Sequence, residues 1–279
     1  MIIKYGSLTL EVDESAMLHF KPYLNWFDCA QNQLEAKPPT SIEQAGEESA
    51  NVLGRLSWLN ADAAKRLDKN LRGAAFVVEW LNSGSERPLQ LFVETLAQAE
   101  QQRSLNKKGP LNQAIGKKSK TLLDATGGWG NDSQLLAAQG YKVYTTERHP
   151  LLAMLLHSAL DGSFDSFSAH NDYLNRIQKV FYGPVDQVLS TQKLEVDCVY
   201  FDPMFPAKRK KSAKSNKQMQ FCQALLNGDS DASDVVHSLI EQGAKRVVVK
   251  RPNHADSLVP RPSEVFSAKL VHYDVYLNT

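Results

Sequence analysis

Two short segments hold the residue types that chemistry would need. The first is D-A-T-G-G-W-G-N-D, Asp124 to Asp132, in which three glycines stand between two carboxylates. Glycine permits positive φ angles and close backbone approach, so Gly127, Gly128 and Gly130 would let a ligand lie against a turn and the helix start after it. Such turns also bind dinucleotides, whose pyrophosphate favours a helix N-terminus. Here Asp124 and Asp132 would repel a pyrophosphate and attract the sulfonium and amino groups of S-adenosylmethionine, so the spacing predicts a cationic cofactor. Glu147 ends the next apolar run, where an acid can accept hydrogen bonds from ribose hydroxyls. Asn171 and Asp172 follow the third expected strand and are placed to meet an adenine amino group.

The second segment is Y-F-D-P-M-F-P, Tyr200 to Pro206. It is similar to the D/N-P-P-Y/F loop of amino-methylating enzymes. An exocyclic amine on a planar ring has a delocalised lone pair, and acceptors that hold its N–H groups orient the nitrogen for attack. Asp202 and the Pro203 carbonyl can serve as those acceptors, and Phe205 can stack on a base that has left its helix or loop. Directly afterwards comes K-R-K-K-S-A-K-S-N-K, six basic residues without an acid. Lys208, Arg209, Lys210 and Lys211 are therefore expected to hold phosphates beside the transfer site, with Lys250 and Arg251 adding contacts from the end of a later strand.

These residues need strand ends and helix starts to carry them. From Thr121 onward, short apolar runs alternate with helical patterns, the signature of a parallel sheet with helices on both faces. Strands are predicted over Thr121–Ala125, Lys142–Thr146, Val196–Phe201 and Arg246–Lys250, with a weak one around Phe167 and an antiparallel one over Lys269–Leu277. Helices are predicted over Asn131–Gln139, after Pro150, near Tyr173–Phe181, around Gln218–Leu226 and over Asp231–Glu241. Asn131 or Asp132 is expected at the start of the first. The expected architecture is a Rossmann-like α/β domain over residues 86–279, preceded by a smaller α+β region over residues 1–85. That region opens with a hairpin around Gly6, is loop-like and acidic from Pro38 to Ala50, and is expected to be helical between Ala61 and Leu81. Trp26, Phe27, Trp58 and Trp80 are expected to pack.

Composition bounds the alternatives. With 42% hydrophobic and 23% charged residues, the chain can bury a core. Its net charge of +1 is unevenly spread: residues 1–100 carry 9 Lys plus Arg against 14 Asp plus Glu, and residues 101–279 carry 23 against 17. The basic excess lies with the candidate catalytic segment, as a polyanionic substrate would require. Cys29, Cys198 and Cys222 lack metal-site spacing, so no metal is expected. No apolar stretch approaches the ~20 residues of a membrane-spanning helix, and no basic start with an apolar run opens the chain; a cytoplasmic location is expected.

Taken together, the segments resemble the RsmJ family of ribosomal small-subunit RNA guanine-N2 methyltransferases. The likeness runs from about Pro88 to the C-terminus and rests on D-A-T-G-G-W-G-N-D, E-R-H-P, D-P-M-F-P with its basic K-S-A loop, R-V-V-V-K-R-P and the ending Y-D-V-Y. It implies a class I methyltransferase fold and transfer from S-adenosylmethionine to the N2 amine of a guanosine near the 3′ end of 16S ribosomal RNA. Free RNA or the assembled small subunit would be the partner. It further implies that Asn131, Asp132, Glu147, Arg148, Asn171, Asp172 and Asp202 contact the cofactor. Asn131 stands where the family usually has arginine. From the residues alone, an amino-methylase of DNA or protein and a non-catalytic nucleotide-binding module remain open.

Overall fold

Gly6, at φ 54°, reverses the chain between β1 (Ile2–Tyr5) and β2 (Leu8–Val12), as its position predicts. In the computed structural model, which describes residues 1–27, 52–68, 73–96, 109–160, 173–204, 216–226 and 228–278, two compact units emerge. The first is Met1–Val93 with Pro206–Asn227, and the second Glu94–Phe205 with Gly228–Thr279.

In the first unit, β1, β2, β3 (Val52–Leu59), β4 (Ala75–Trp80) and β5 (Leu89–Leu91) form a sheet in that order, with only β2 and β3 parallel. Leu8, Leu10 and Val12 alternate into its core. Asp13 caps the helix Glu14–Phe20 by accepting from the Ala16 amide at 3.0 Å. The helical expectation for Ala61–Leu81 needs correction. Only Ala61–Leu67 is helical, capped by Asn60, whereas A-F-V-V-E-W is the strand β4. Its aromatic and β-branched residues suit a pleated surface buried on both faces. Phe27 and Trp80 are buried, and the Trp58 ring stacks on His19 and meets Phe76 edge-on. The helix Lys217–Leu226 belongs to this unit; Gln218 donates to the Phe92 carbonyl at 3.0 Å and Phe221 packs edge-on against Trp80. The acidic stretch Pro38–Ala50 and Cys29 lie outside the described residues, and Cys198 and Cys222 are free and buried.

The second unit contains β6 (Thr121–Asp124), β7 (Lys142–Glu147), β8 (Ile177–Tyr182), β9 (Cys198–Phe201), β10 (Arg246–Pro252), β11 (Glu264–Ser267) and β12 (Val271–Leu277). They form one sheet in the order β11-β12-β10-β9-β6-β7-β8. Strands β8, β7, β6, β9 and β10 are parallel, and β12 is antiparallel to both its neighbours. The expected class I Rossmann-like fold is therefore found. Parallel strands are covered on both faces and so read as apolar runs. The C-V-Y-F of β9 is wholly buried, and Leu123, Val199, Val247 and Val249 share a core with Val236 and Leu239 of the helix Ala232–Glu241. The chain reverses its direction of sheet growth at β6, which pairs with β7 on one side and β9 on the other. Ligands of such sheets bind outside the strand carboxyl ends at this switch point.

The third parallel strand is a second correction. Phe167 lies outside the described residues, and the predicted helix Tyr173–Phe181 is instead a short 3-10 turn, Leu174–Arg176, leading into β8. Ile177, Val180 and Phe181 are buried there against β7 and the helix Pro150–Leu160. The helix Val185–Gln192 and the exposed edge strand β11 carry no clear periodic signal in the sequence.

Candidate active site

The glycine bend is built by packing as much as by ligand space. A Cβ on Gly127 would stand 2.7 Å from Leu156 Cδ2 and 2.8 Å from Thr145 Cγ2, and one on Gly130 would stand 2.5 Å from Leu156 Cδ1. Gly130, at φ 77°, immediately precedes the helix Asn131–Ala138, so Asn131 stands at the helix start as expected, entered from a left-handed glycine. Only a residue that tolerates the left-handed region can make that entry cheaply. Gly128 differs. It has φ 51°, and the nearest atom to its hypothetical Cβ is the Thr126 carbonyl at 3.8 Å, so its outer side is open.

Around this bend the carboxylates take distinct roles. Asp124 is fully buried and accepts from Ser133 Oγ and from the Thr126 amide at 3.1 Å. Burial pushes its carboxyl up to about 7, with hydrogen bonds from Ser133 and Thr126 opposing and the charges of Asp132 and Asp202 adding to the rise. It fastens β6 to the helix start and faces away from solvent. Glu147, also buried, accepts from the Gly128 amide at 2.8 Å and the His149 amide at 2.7 Å. A carboxylate has further lone pairs, so both bonds leave capacity for hydroxyl donors. His149 is held neutral by burial and by the Arg148 charge, which lower it to about 4.

Asp132 and Asp202 come together across a lysine. Asp132 Oδ2 accepts from the Tyr200 hydroxyl at 2.6 Å, and Lys250 Nζ lies 3.2 Å from the same oxygen and 2.7 Å from Asp202 Oδ2. The Asp202 amide donates to Thr126 Oγ1 at 2.9 Å, which fastens the end of β9 to the glycine bend. Burial is the main reason the Asp202 carboxyl is raised to about 6; Lys250 opposes that rise and Asp132 reinforces it. For Lys250 the balance reverses. Burial favours the neutral amine, yet the charges of Asp132 and Asp202 leave its ammonium more strongly held than in free lysine.

Arg148 is engaged by two acids of another loop. Its Nη2 pairs with Asp229, and its Nη1 lies 2.8 Å from Asp231 Oδ2. Asp229 in turn accepts from the Met204 amide at 2.5 Å, and its own amide donates to the Met204 carbonyl at 3.2 Å. One acid thus clasps the loop after Asp202 to the residue after Glu147. Asp229→Ala is expected to lower the turnover of any reaction at Asp202 by about tenfold or more, since a misplaced reacting group forfeits alignment, while binding of the adenosyl ligand stays within about threefold, a threshold set by a free-energy change of under 1 kcal/mol. Steady-state kinetics beside equilibrium titration measure the two effects separately.

Asp124, Gly127, Gly128, Gly130, Asn131, Asp132, Glu147, Pro203 and Asp202 therefore converge at the carboxyl ends of β6, β7 and β9. Asn171, Asp172, Phe205 and Lys208 to Lys211 lie outside the described residues. The phosphate contacts expected of Lys250 and Arg251 meet a different geometry. Lys250 is tied to two carboxylates, and Arg251 is buried with Nε and Nη2 donating to the Asp256 carbonyl at 2.9 and 2.6 Å. Reading of the sequence missed Thr126, Tyr200 and Asp229. No local pattern marks them, because each meets its partner only through the fold.

Among the described residues, three acids, Asp132, Glu147 and Asp202, against one lysine at this bend suit a cationic nucleoside and disfavour a pyrophosphate. Glu147 can take ribose hydroxyls, and the open side of Gly128 leaves room for the nucleoside. The residues fit S-adenosylmethionine.

Comparison with known proteins agrees. The family model of SAM-dependent methyltransferases designated SAM_MT matches residues 59–278. The ribosomal RNA small subunit methyltransferase J of Shewanella piezotolerans is 37% identical over 174 residues, covering 60% of this chain and 64% of that protein. Its counterpart in Shewanella baltica is 37% identical over 159 residues, with 57% and 63% covered. The aligned chain thus spans slightly less than two thirds of the curated relatives' length. Among solved structures, a SAM-dependent methyltransferase from Neisseria gonorrhoeae superposes with a TM-score of 0.56 at 22% identity, covering 96% of this chain and 95% of that one, which shows the shared fold.

Proposed function

Because the chain belongs to the SAM_MT family of SAM-dependent methyltransferases, we propose that it transfers a methyl group from S-adenosylmethionine to the exocyclic N2 amine of a guanosine in 16S ribosomal RNA, near the 3′ end. The observation that carries the reading is Asp202, whose backbone N–H donates to Thr126 of the glycine bend and whose carboxylate pairs with Lys250. An acceptor for an amine thus stands beside the place suited to a cationic nucleoside. The names of the relatives supply the RNA and the subunit.

When bound, the cofactor supplies an electrophilic methyl carbon on a cationic sulfur. The chain's own residues do the rest. Glu147 takes the ribose hydroxyls, and Asp132 and Asp202 lower the potential of the cleft for a positive ligand. Asp202 and the Pro203 carbonyl accept the N–H groups of the guanine amine, turning its lone pair toward the methyl carbon and stabilising the nitrogen as it becomes cationic, and its surplus proton then passes to Asp202. Phe205 stacks on the guanine once it has left its neighbours. Asn171 and Asp172 are assigned to the adenine edge. Lys208, Arg209, Lys210 and Lys211 hold the flanking phosphates, and substrate and enzyme meet in the cytoplasm.

The test offers labelled methyl donor with deproteinised RNA, small subunits, DNA and protein. Label is expected in 16S RNA, free or within the subunit, and mass spectrometry should place it on a guanosine N2. Label in DNA or protein alone would sink the reading. Neutralising Lys208, Arg209, Lys210 and Lys211 together is expected to weaken RNA binding and flatten the log–log salt dependence by roughly 0.7 to 0.9 for each phosphate no longer neutralised. An unaltered slope would remove these residues from the interface.

A further inference from the structure

Lys250 is held between two carboxylates rather than presented to a phosphate. It leaves β10 opposite Tyr273 of β12, and its ammonium reaches two acids from different elements: Asp132 in the first turn of the helix Asn131–Ala138, and Asp202 beyond β9. We propose that Lys250 is a positioning residue for methyl transfer, whose ammonium keeps Asp202 ionised and aimed at the target amine and ties it to Asp132 on the cofactor side. This rests on the role given to Asp202 above.

Two half-buried carboxylates that share a site repel each other, and the charge of Asp132 drives Asp202 toward its neutral form. A neutral Asp202 would present an O–H where the amine needs an acceptor. The groups facing Asp202 are Lys250, Asp132 and Asp229, with Asp124 nearby, while Tyr200 and Tyr273 add neutral hydroxyls on the same side. Asp132 and Asp229 disfavour the ionised form and Lys250 favours it. Asp229 is itself engaged by Arg148, so the lysine is the cation in contact with the Asp202 side chain among the described residues. Lys250 cannot act as a base, because its two acids hold its proton. Its two ion pairs also explain why a lysine, a compact point charge with three rotatable donors, suits this place.

The Asp202 carboxyl already sits at about 6, above the ordinary aspartate value of 3.8, so its acceptor function is lost as pH falls through about 6. Removing the lysine charge raises that midpoint further, by about one pH unit or more. The experiment uses the full chain and three variants: Lys250→Met, Lys250→Gln and Lys250→Arg. One readout is the pH dependence of single-turnover methyl transfer to 16S RNA. The other is a titration of the protein alone, with 13C-labelled aspartate carboxyls and Asp202 assigned through Asp202→Asn.

In Met and Gln variants, both the acid limb and the Asp202 midpoint should move upward together, while arginine restores them to within about half a unit of the parent. If Lys250→Met does not fold, the glutamine variant, which keeps a donor without charge, decides. An unmoved Asp202 midpoint overturns the proposal, whether the rate falls, as a merely structural role would give, or the salt slope of RNA binding drops, as a phosphate-binding role would give. The carboxyl titration needs no RNA, so failure of the RNA assignment would show as absent transfer by the parent enzyme while the Asp202 midpoint still responded to Lys250.

Discussion

Asp202→Ala should lower single-turnover methyl transfer by roughly 10²- to 10³-fold, the scale seen when one preorganised group is lost at a developing charge. The fold should survive. The interaction that fastens this position, the hydrogen bond its backbone N–H donates to Thr126 Oγ1, belongs to the backbone and is retained by alanine, and Lys250 keeps Asp132 as a partner. Removing one of two mutually repelling acids also relieves strain within the cluster. Single-turnover rates, circular dichroism melting and donor titration would together check this result. A rate within tenfold of the parent would exclude Asp202 as the acceptor.

Gly130→Ala should act on the other half of the site and should cost stability as well. An L-residue in the left-handed region costs roughly 1–2 kcal/mol, and forcing a methyl into a filled core adds about 1–3 kcal/mol. The new Cβ would lie 2.5 Å from Leu156 Cδ1 and 3.0 Å from Leu160 Cδ1, both buried in the helix behind the bend. A loss of roughly 2–5 kcal/mol on denaturant unfolding is expected from those two costs combined, together with loss of donor binding as the helix start moves. Gly128→Ala provides the contrast. Its Cβ meets nothing closer than 3.8 Å, so it should lose donor affinity with only the conformational part of the stability cost. Equal stability losses in the two variants would contradict this division of labour between packing and ligand space.

That division is only half legible in the sequence. The glycine bend, the acids flanking it and the strands β6, β7, β9 and β10 can all be read there, since strands buried on both faces appear as apolar runs between breakers. That Gly127 and Gly130 are required by Leu156 and Thr145 rather than by a ligand cannot, because that packing joins elements distant in the chain. β8 escapes a periodic reading since I-Q-K-V-F-Y mixes exposed Gln178 and Lys179 with buried apolar residues and fits neither period cleanly. β4 reads as helix because an alanine-rich helix precedes it closely.

Ion pairs are the least legible feature. Lys250 stands 118 residues from Asp132 and 48 from Asp202, and Arg148 stands 81 from Asp229. A basic residue at a strand end reads as a phosphate ligand until the fold shows which acids face it. Arg148 also braces, through Asp229, the loop that carries Asp202, and a positioning role for Asp229 follows from geometry alone.

A cationic nucleoside is expected to lie over the Gly128 bend with its reactive carbon directed at the Asp202 loop. A crystal structure of the full chain with S-adenosylmethionine bound tests it most directly. Ribose hydroxyls within hydrogen-bonding distance of Glu147, and a sulfonium methyl facing Asp202 and the Pro203 carbonyl, are the predicted result. A nucleoside bound away from the glycine bend, or a methyl group turned away from Asp202, would contradict it.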